Sequence, residues 1–386
     1  MPIPLKALTV FSGLNGSGKS TVLQAIALLR QSLDVERSEG VTLQSLHLHG
    51  PLIQLGNASD VLSERATDDI IEFTISTEQE EWTCSTKITE LTKFESILCC
   101  NLSINSKNSH EEVEKYKEKI KNSVEIFLKR CEFQFLQADR LTPSTHYERS
   151  VSVNHNAHFL GVRGQYTPDF LAVNGNSLIV AEARRCPVRS PVVEAKLMNR
   201  LAATPKLYDQ ISGWLQHLSP GVKLDTELIK QTDLVTLGFS YKSTELAQDS
   251  ERRRPTNVGF GLTYSLPIIT ACLSAKPGAL LLLENPEAHL HPRGQAALGT
   301  LLAKCASDGV QILLETHSDH ILNGIRLAVK NNLIANTNVS LCHFVRDTGT
   351  GDSYIQNPMI LPDGELSSWP EGFFDEWEKS LEALLR

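Results

Sequence analysis

The sequence predicts an α/β fold whose two halves are separated along the chain by an inserted helical and loop-rich region, with no long coiled coil. Three observations predict it. A glycine-rich run at residues 13–21 joins a short apolar stretch, residues 5–11, to an apolar-faced helical pattern at 20–31. Far downstream, Leu280-Leu281-Leu282-Leu283-Glu284 is an aliphatic run that ends in an acid. Leu313-Leu314-Glu315 is a third such run, ending at Thr316-His317. Short aliphatic runs between helical patterns read as buried strands of βα units.

Taken in order, the N-terminal half covers 1–79, with a polar-tipped loop at 50–57 and strand-like alternation at 70–75 and 82–88. The inserted region is placed at 80–240. Its stretch at 110–130 is rich in Glu and Lys at helical spacing and reads as a solvent-facing helix, and 140–190 is loop-rich. The second half is placed at 241–350, where a helix–strand–helix pattern returns, and a tail follows at 351–386.

Composition is that of an ordinary globular chain, 41% apolar and 21% charged. The net charge of −8 argues against an overall electrostatic grip on nucleic acid. Two local basic patches, Arg252-Arg253-Arg254 and Arg184, Arg185 with Arg189, keep nucleic acid as a candidate partner. The longest aliphatic run is too short to cross a bilayer, and the N-terminus carries no secretory pattern. Eight scattered cysteines without a C-x-x-C pair fit reduced thiols. A cytoplasmic chain with no membrane partner is expected.

The run Gly13-Leu14-Asn15-Gly16-Ser17-Gly18-Lys19-Ser20-Thr21 satisfies G-x-x-x-x-G-K-S between a strand and a helix, the setting of a phosphate-binding P-loop. Gly13, Gly16 and Gly18 let backbone N–H groups close on phosphate oxygens, Asn15 is assigned to the same nucleotide-binding loop, and the helix N-terminus adds its positive end. Lys19 is assigned to the β and γ phosphates, Ser20 to Mg²⁺, and Thr21 to the same loop. ATP and Mg²⁺ are the expected cofactors.

Other motifs decide the class. Leu280 to Glu284 has the form of a Walker B strand, which sets Glu284 beside the metal. The following Asn285-Pro286-Glu287-Ala288-His289-Leu290-His291-Pro292 resembles the D-loop of ABC-type heads, and His317 stands where their switch histidine lies. Asn257-Val258-Gly259-Phe260-Gly261-Leu262-Thr263 opens a helix where their signature belongs. In such heads the signature acts on the nucleotide of a partner, so Asn257, Gly259, Gly261 and Thr263 are expected to complete the site of a second copy. That makes a homodimer through the ATP sites, or a higher oligomer, the expected assembly. Glu284, Glu287 and His317 are the catalytic candidates, and Ser20, Glu284 and Gln54, a candidate Q-loop residue, are the metal candidates. The D-loop and switch positions account for His289, His291, His317 and His320 better than a zinc site would. The roles of Asp139-Arg140 and of Gly161-Val162-Arg163-Gly164-Gln165-Tyr166 do not follow from the sequence.

The fold expected is thus that of an ABC-type ATPase head, a P-loop NTPase. The runs at 284–292 and 315–320 resemble the overcoming-lysogenization-defect-like ATPases. The tail Trp369-Pro370-Glu371-Gly372-Phe373-Phe374-Asp375 is similar to that of the ATPases of two-gene bacterial antiphage defence systems, including the Septu and retron-associated ATPases. The resemblance implies an ATPase that controls a separate effector subunit, a nuclease, in trans. Three departures qualify it. The P-loop begins at residue 13, whereas the family usually has strands first. Residues 318–386 are too few for a TOPRIM nuclease domain beside the tail, so no nuclease chemistry is expected in this chain. The position after the Walker B acid is Asn285 rather than the usual Glu, so a general-base contribution of about 10²–10⁴ is missing there and slow turnover is expected. The competing reading is a DNA-repair or chromosome-maintenance ATPase, which the lack of sustained heptads at 22–256 disfavours. A transporter subunit would carry a Leu-Ser-Gly-Gly-Gln signature, which is absent.

Overall fold

The computed structural model describes residues 2–37, 43–64, 66–77, 80–106, 132–150, 158–187, 194–242, 249–374 and 376–385. The helix expected at 110–130 lies outside the described residues, as do Arg189 and Asp375. The chain forms two compact units, one of Met1–Lys19 with Glu132–Arg386 and one of Ser20–Cys131. The boundaries expected at 79/80 and 240/241 do not coincide with these units. The first falls between the two strands of a hairpin, and the second within a strand.

The larger unit begins with β1 (Leu8–Gly13), which passes through the loop at 14–18 into α1 (Lys19–Arg37). The rest of α1 belongs to the smaller unit, followed there by β2 (Ser45–His47), α2 (Ala58–Val61), β3 (Ile70–Ser76), β4 (Glu80–Lys87), β5 (Ile97–Cys99) and β6 (Asn101–Ser106). β3, β4 and β6 form an antiparallel sheet in that order, and β2 pairs with β5. Along β3 exposure alternates residue by residue, the signature of a sheet with one covered face. The side chain of Gln31 on α1 ties down the following loop. Its Oε1 accepts from the amides of Leu52 and Ile53, and its Nε2 donates to the carbonyls of His47 and Ile53. Gln54 is exposed beside that loop and bridges to His49.

The larger unit continues with β7 (Phe133–Leu136), β8 (Tyr147–Glu148), α3 (Thr167–Asn174), α4 (Ala195–Leu201), α5 (Leu207–Leu215), β9 (Val222–Leu228) and β10 (Leu234–Tyr241). After these come α6 (Phe260–Ser274), β11 (Leu280–Glu284), α7 (Pro292–Ser307), β12 (Gln311–Glu315), α8 (Asp319–Lys330), β13 (Val339–Arg346), β14 (Ser353–Gln356) and α9 (Glu376–Leu385). The described part of 80–240 holds α3 to α5 and long irregular stretches, and with them strands beyond those expected from the sequence. It holds β4 to β10, because alternating stretches such as Val222-Lys223-Leu224-Asp225 pair as half-buried antiparallel strands.

The main sheet has the order β14-β13-β1-β12-β11-β7, parallel throughout except for β14. Its inner strands read as aliphatic runs because both faces are covered: Leu8, Leu280, Leu282, Leu313 and Leu314 are fully buried. The register aligns the strand ends that matter. Phe11 pairs with Glu315, and Glu315 with Glu284. The P-loop, the Walker B acid and the turn at 316–318 thus emerge from one edge, outside the carboxyl ends of the parallel strands where α/β folds bind ligands.

Candidate nucleotide site

The P-loop has the backbone a phosphate cradle needs. Gly13, Gly16 and Gly18 have φ of 138°, 74° and 99°, which a side chain would strain. At Gly13 a Cβ would also stand 2.3 Å from the carbonyl oxygen of Phe344 on β13. Lys19 is buried. Its Nζ donates to the carbonyl of Leu14 at 2.8 Å and lies 3.8 Å from Oε1 of Glu315. Burial lowers the Lys19 pKa, and the Glu315 carboxylate partly restores it. Asn15 and Gly16 are exposed at the tip, and Nη1 of Arg346 lies 3.9 Å from where a Gly16 Cβ would be.

A residue without an assigned role in the sequence organises the Walker B end. Arg140 has no exposed surface. Its Nη1 donates to the carbonyls of Gln137 and Glu284, and its Nη2 to that of Asn285 at 2.7 Å. The guanidinium also sits 4.5 Å from the ring centroid of Tyr264 on α6, whose hydroxyl bonds the carbonyl of Ala138. One cation therefore binds the segment after β7, the end of β11 and the signature helix together. It holds Asn285 at φ 43°, a left-handed conformation in which Asn is among the few tolerated side chains. Oε2 of Glu284 accepts from the Ala138 amide at 3.0 Å. Burial raises the Glu284 pKa, the Ala138 hydrogen bond opposes this, and the charge of Glu315 adds to it.

Glu287 is fully engaged. Its Oε2 accepts from the Thr316 hydroxyl at 2.7 Å and its Oε1 from the His317 amide at 2.8 Å, which ties the segment after β11 to the turn after β12. His317 reaches solvent yet is partly shielded, and that partial desolvation, with Lys19, lowers its pKa against the opposing pull of Glu287 and Glu315. His289, at φ 62°, packs between Phe260 and Tyr264 with ring centroids 4.7 and 4.8 Å away, and His291 caps α7. Both histidines have structural employment.

Of the expected signature residues, Asn257 and Gly259 are exposed, and a Cβ on Gly259 would meet nothing within 4 Å. Gly261 answers to a different need, since its Cβ would stand 2.5 Å from the carbonyl of His289. Thr263 corrects the expectation. It is fully buried where α6 is covered on all sides, so its side chain is not open to a nucleotide. Lys19, Glu284, Glu287 and His317 lie at the same end of the sheet, with Arg140 and Glu315. Ser20, Thr21 and Gln54 belong to the smaller unit, and their roles rest on the sequence.

Two residues of the basic patches are held in ion pairs. Arg184 is buried, paired to Asp308 at 2.7 Å and bonded to carbonyls of Cys272 and Ala275, where it caps α6. Arg252 is paired to Asp225 at 3.0 Å. No helix among the described residues is long and apolar enough to cross a membrane, and the seven described cysteines are free.

Comparison with solved structures finds heads of Smc proteins. An Smc head bound to the C-winged helix domain of ScpA aligns over 93% of this chain and 93% of its own, at 13% identity and TM-score 0.44. A Pyrococcus furiosus Smc head with an extended coiled coil, bound to the C-terminal domain of ScpA, aligns over 100% and 95%, at 12% identity and TM-score 0.41. The Thermotoga maritima head aligns over 92% and 91%, at 12% identity and TM-score 0.35. No curated protein matches the chain. Residues 334–384 match the family "Protein of unknown function (DUF3696)", which takes in β13, β14 and the Trp-Pro-Glu-Gly-Phe-Phe tail. Residues 8–81 and 159–323, spanning the P-loop, the signature turn, Walker B and the switch histidine, match the family described as "AAA domain, putative AbiEii toxin, Type IV TA system", and the chain belongs to that family of AAA ATPases.

Proposed function

We propose that this ATPase is the nucleotide-responsive subunit of a bacterial antiphage defence system, closing head to head around Mg-ATP and controlling a separate effector, a nuclease, in trans. The observation that carries it is the half-site. The P-loop, Glu284 and His317 gather at one edge of the sheet, while the exposed Gly259 turn offers an open helix start. The family description names a toxin of a toxin–antitoxin system, and the tail resembles those of defence ATPases, which supports the setting. Of the two candidate DNA-binding patches, Arg184 is buried and Arg252 is paired, so neither offers a free charge to DNA.

ATP would be held by the P-loop amides and Lys19. Mg²⁺ bound to phosphates needs only one or two protein oxygens, and Ser20 and Glu284 would supply them. The donor chemistry fits, because a divalent cation would offset the burial and the Glu315 charge that now disfavour an ionised Glu284. The cation, when bound, neutralises phosphate charge.

The test is native co-purification and sedimentation of the full chain with and without Mg²⁺ and a non-hydrolysable ATP analogue. Nucleotide should shift the protein to a dimer or higher oligomer and change the recovery of a nuclease subunit. A protein that stays monomeric with nucleotide and neighbour both present refutes the sandwich. A lone DNA-bound dimer would favour the chromosome-maintenance reading.

A further inference from the structure

The carboxylates near Lys19 divide by what they already hold. Glu287 has both oxygens bonded, to the Thr316 hydroxyl and the His317 amide. Glu284 accepts from the Ala138 amide and lies on the side proposed for the metal. Asn285, in the usual position of the base, offers only an amide. Glu315 differs from all three. It ends β12, between β1 and β11, with only 4% of its surface exposed. Its Oε1 lies 3.8 Å from Nζ of Lys19, and its Oε2 is buried with no hydrogen-bond partner among the described residues. A buried carboxylate oxygen without a donor costs free energy that a folded chain seldom tolerates unless something else arrives to use it. A lysine that reaches the β and γ phosphates also sets the distance scale, placing this oxygen close to the terminal phosphoryl group and the water that attacks it.

We propose that Glu315 is the general base of ATP hydrolysis in this chain, the carboxylate that Asn285 cannot be. The water oxygen bonds to the γ phosphorus as the bond from that phosphorus to the β–γ bridging oxygen breaks. The bridging oxygen keeps the electron pair and departs on ADP, and the proton of the water passes to Oε2 of Glu315. The groups facing this carboxylate are Lys19, Glu284 and His317, with Thr316 and Glu287 beyond. The assignment rests on the ATPase reading and replaces the expectation of slow turnover that Asn285 alone gives.

The experiment uses the full chain and measures binding apart from chemistry. Affinity for a fluorescent ATP analogue with Mg²⁺ is read by titration, and hydrolysis by single-turnover quench of radiolabelled ATP. Glu315→Gln should bind within about threefold of wild type and hydrolyse about 10²–10⁴ more slowly. Adding Asn285→Glu to that variant should recover at least about tenfold of the rate by returning a carboxylate to the usual position. Wild-type hydrolysis in Glu315→Gln overturns the proposal. So does a loss of binding that accounts for the whole rate change, which would make Glu315 a positioning partner of Lys19 only. If Glu315→Gln fails to fold, Glu315→Asp carries the test. A slower rate at unchanged affinity supports the assignment, and an unchanged rate overturns it. A wild-type protein that binds no ATP defeats the ATPase reading itself, an outcome the titration separates from failure of the base.

Discussion

Replacing Arg140 by alanine withdraws a buried cation from three backbone carbonyls at once, those of Gln137, Glu284 and Asn285. Hydrogen bonds from a charged donor contribute roughly 1.5–3 kcal/mol each, and the Tyr264 face adds about 1 kcal/mol. Against this stands the cost of burying the guanidinium. Burial lowers its pKa to about 10, opposed by Tyr264, Glu287 and Glu284, and that shift corresponds to about 3 kcal/mol. The balance, with carbonyls left unpaired, is a loss of about 3–5 kcal/mol, the range seen when one member of a buried charged network is removed. Urea unfolding followed by circular dichroism measures it as a fall in midpoint at constant slope. Arg140→Lys should recover less than half of the loss, because a point-like ammonium cannot address three carbonyls in a plane. An Arg140→Ala protein within about 1 kcal/mol of wild type would show that the clamp is ornamental and that Asn285 keeps its left-handed turn unaided.

Three further outcomes are expected. Gly261→Ala should lose about 1–3 kcal/mol in a thermal or urea melt, because its Cβ meets the His289 carbonyl at 2.5 Å, while Gly259→Ala, with open space around it, should lose no more than about 1 kcal/mol. Burial, with Arg293 adding, lowers the His217 pKa to about 4, so the unfolded chain takes up a proton below pH 6.5 that the folded chain refuses until about pH 4. Stability should therefore be intact above pH 6.5 and fall by up to about 3 kcal/mol towards pH 4, a slope that His217→Phe flattens in pH-dependent urea melts. Arg346→Ala should weaken ATP-analogue binding about three- to tenfold in a fluorescence titration, because its guanidinium stands beside Gly16 with no ion pair among the described residues.

Much of the head is legible in the sequence because its signals are local. The P-loop is contiguous, and the aliphatic runs at 280–283 and 313–314 give buried parallel strands directly. The hairpin of β3 and β4 follows from alternation at 70–75 and 82–88. What sequence could not supply is partnership across distance. Arg140 looks like any arginine in a loop until β7 places it under β11, some 144 residues away in sequence. Arg184 reads as free charge beside Arg185, yet it is buried under the end of α6. Thr263 fits a motif by position, but it lies where α6 is already buried on all sides. Glu315 hides because a Glu closing an aliphatic run reads as the strand's polar end, and only register shows it level with Glu284 and Phe11.

The place of β1 in the sheet bears on how the protein is made. Its residues Leu8 to Phe11 are synthesised about 300 residues ahead of both neighbours, β12 and β13. At ~5–20 residues per second, the strand and the phosphate loop it carries wait on the order of tens of seconds before either flank exists. Through that interval a sticky, unpaired segment must be sheltered by chaperones or by transient collapse. A nascent chain stalled before β12 holds every residue of the P-loop and no nucleotide site.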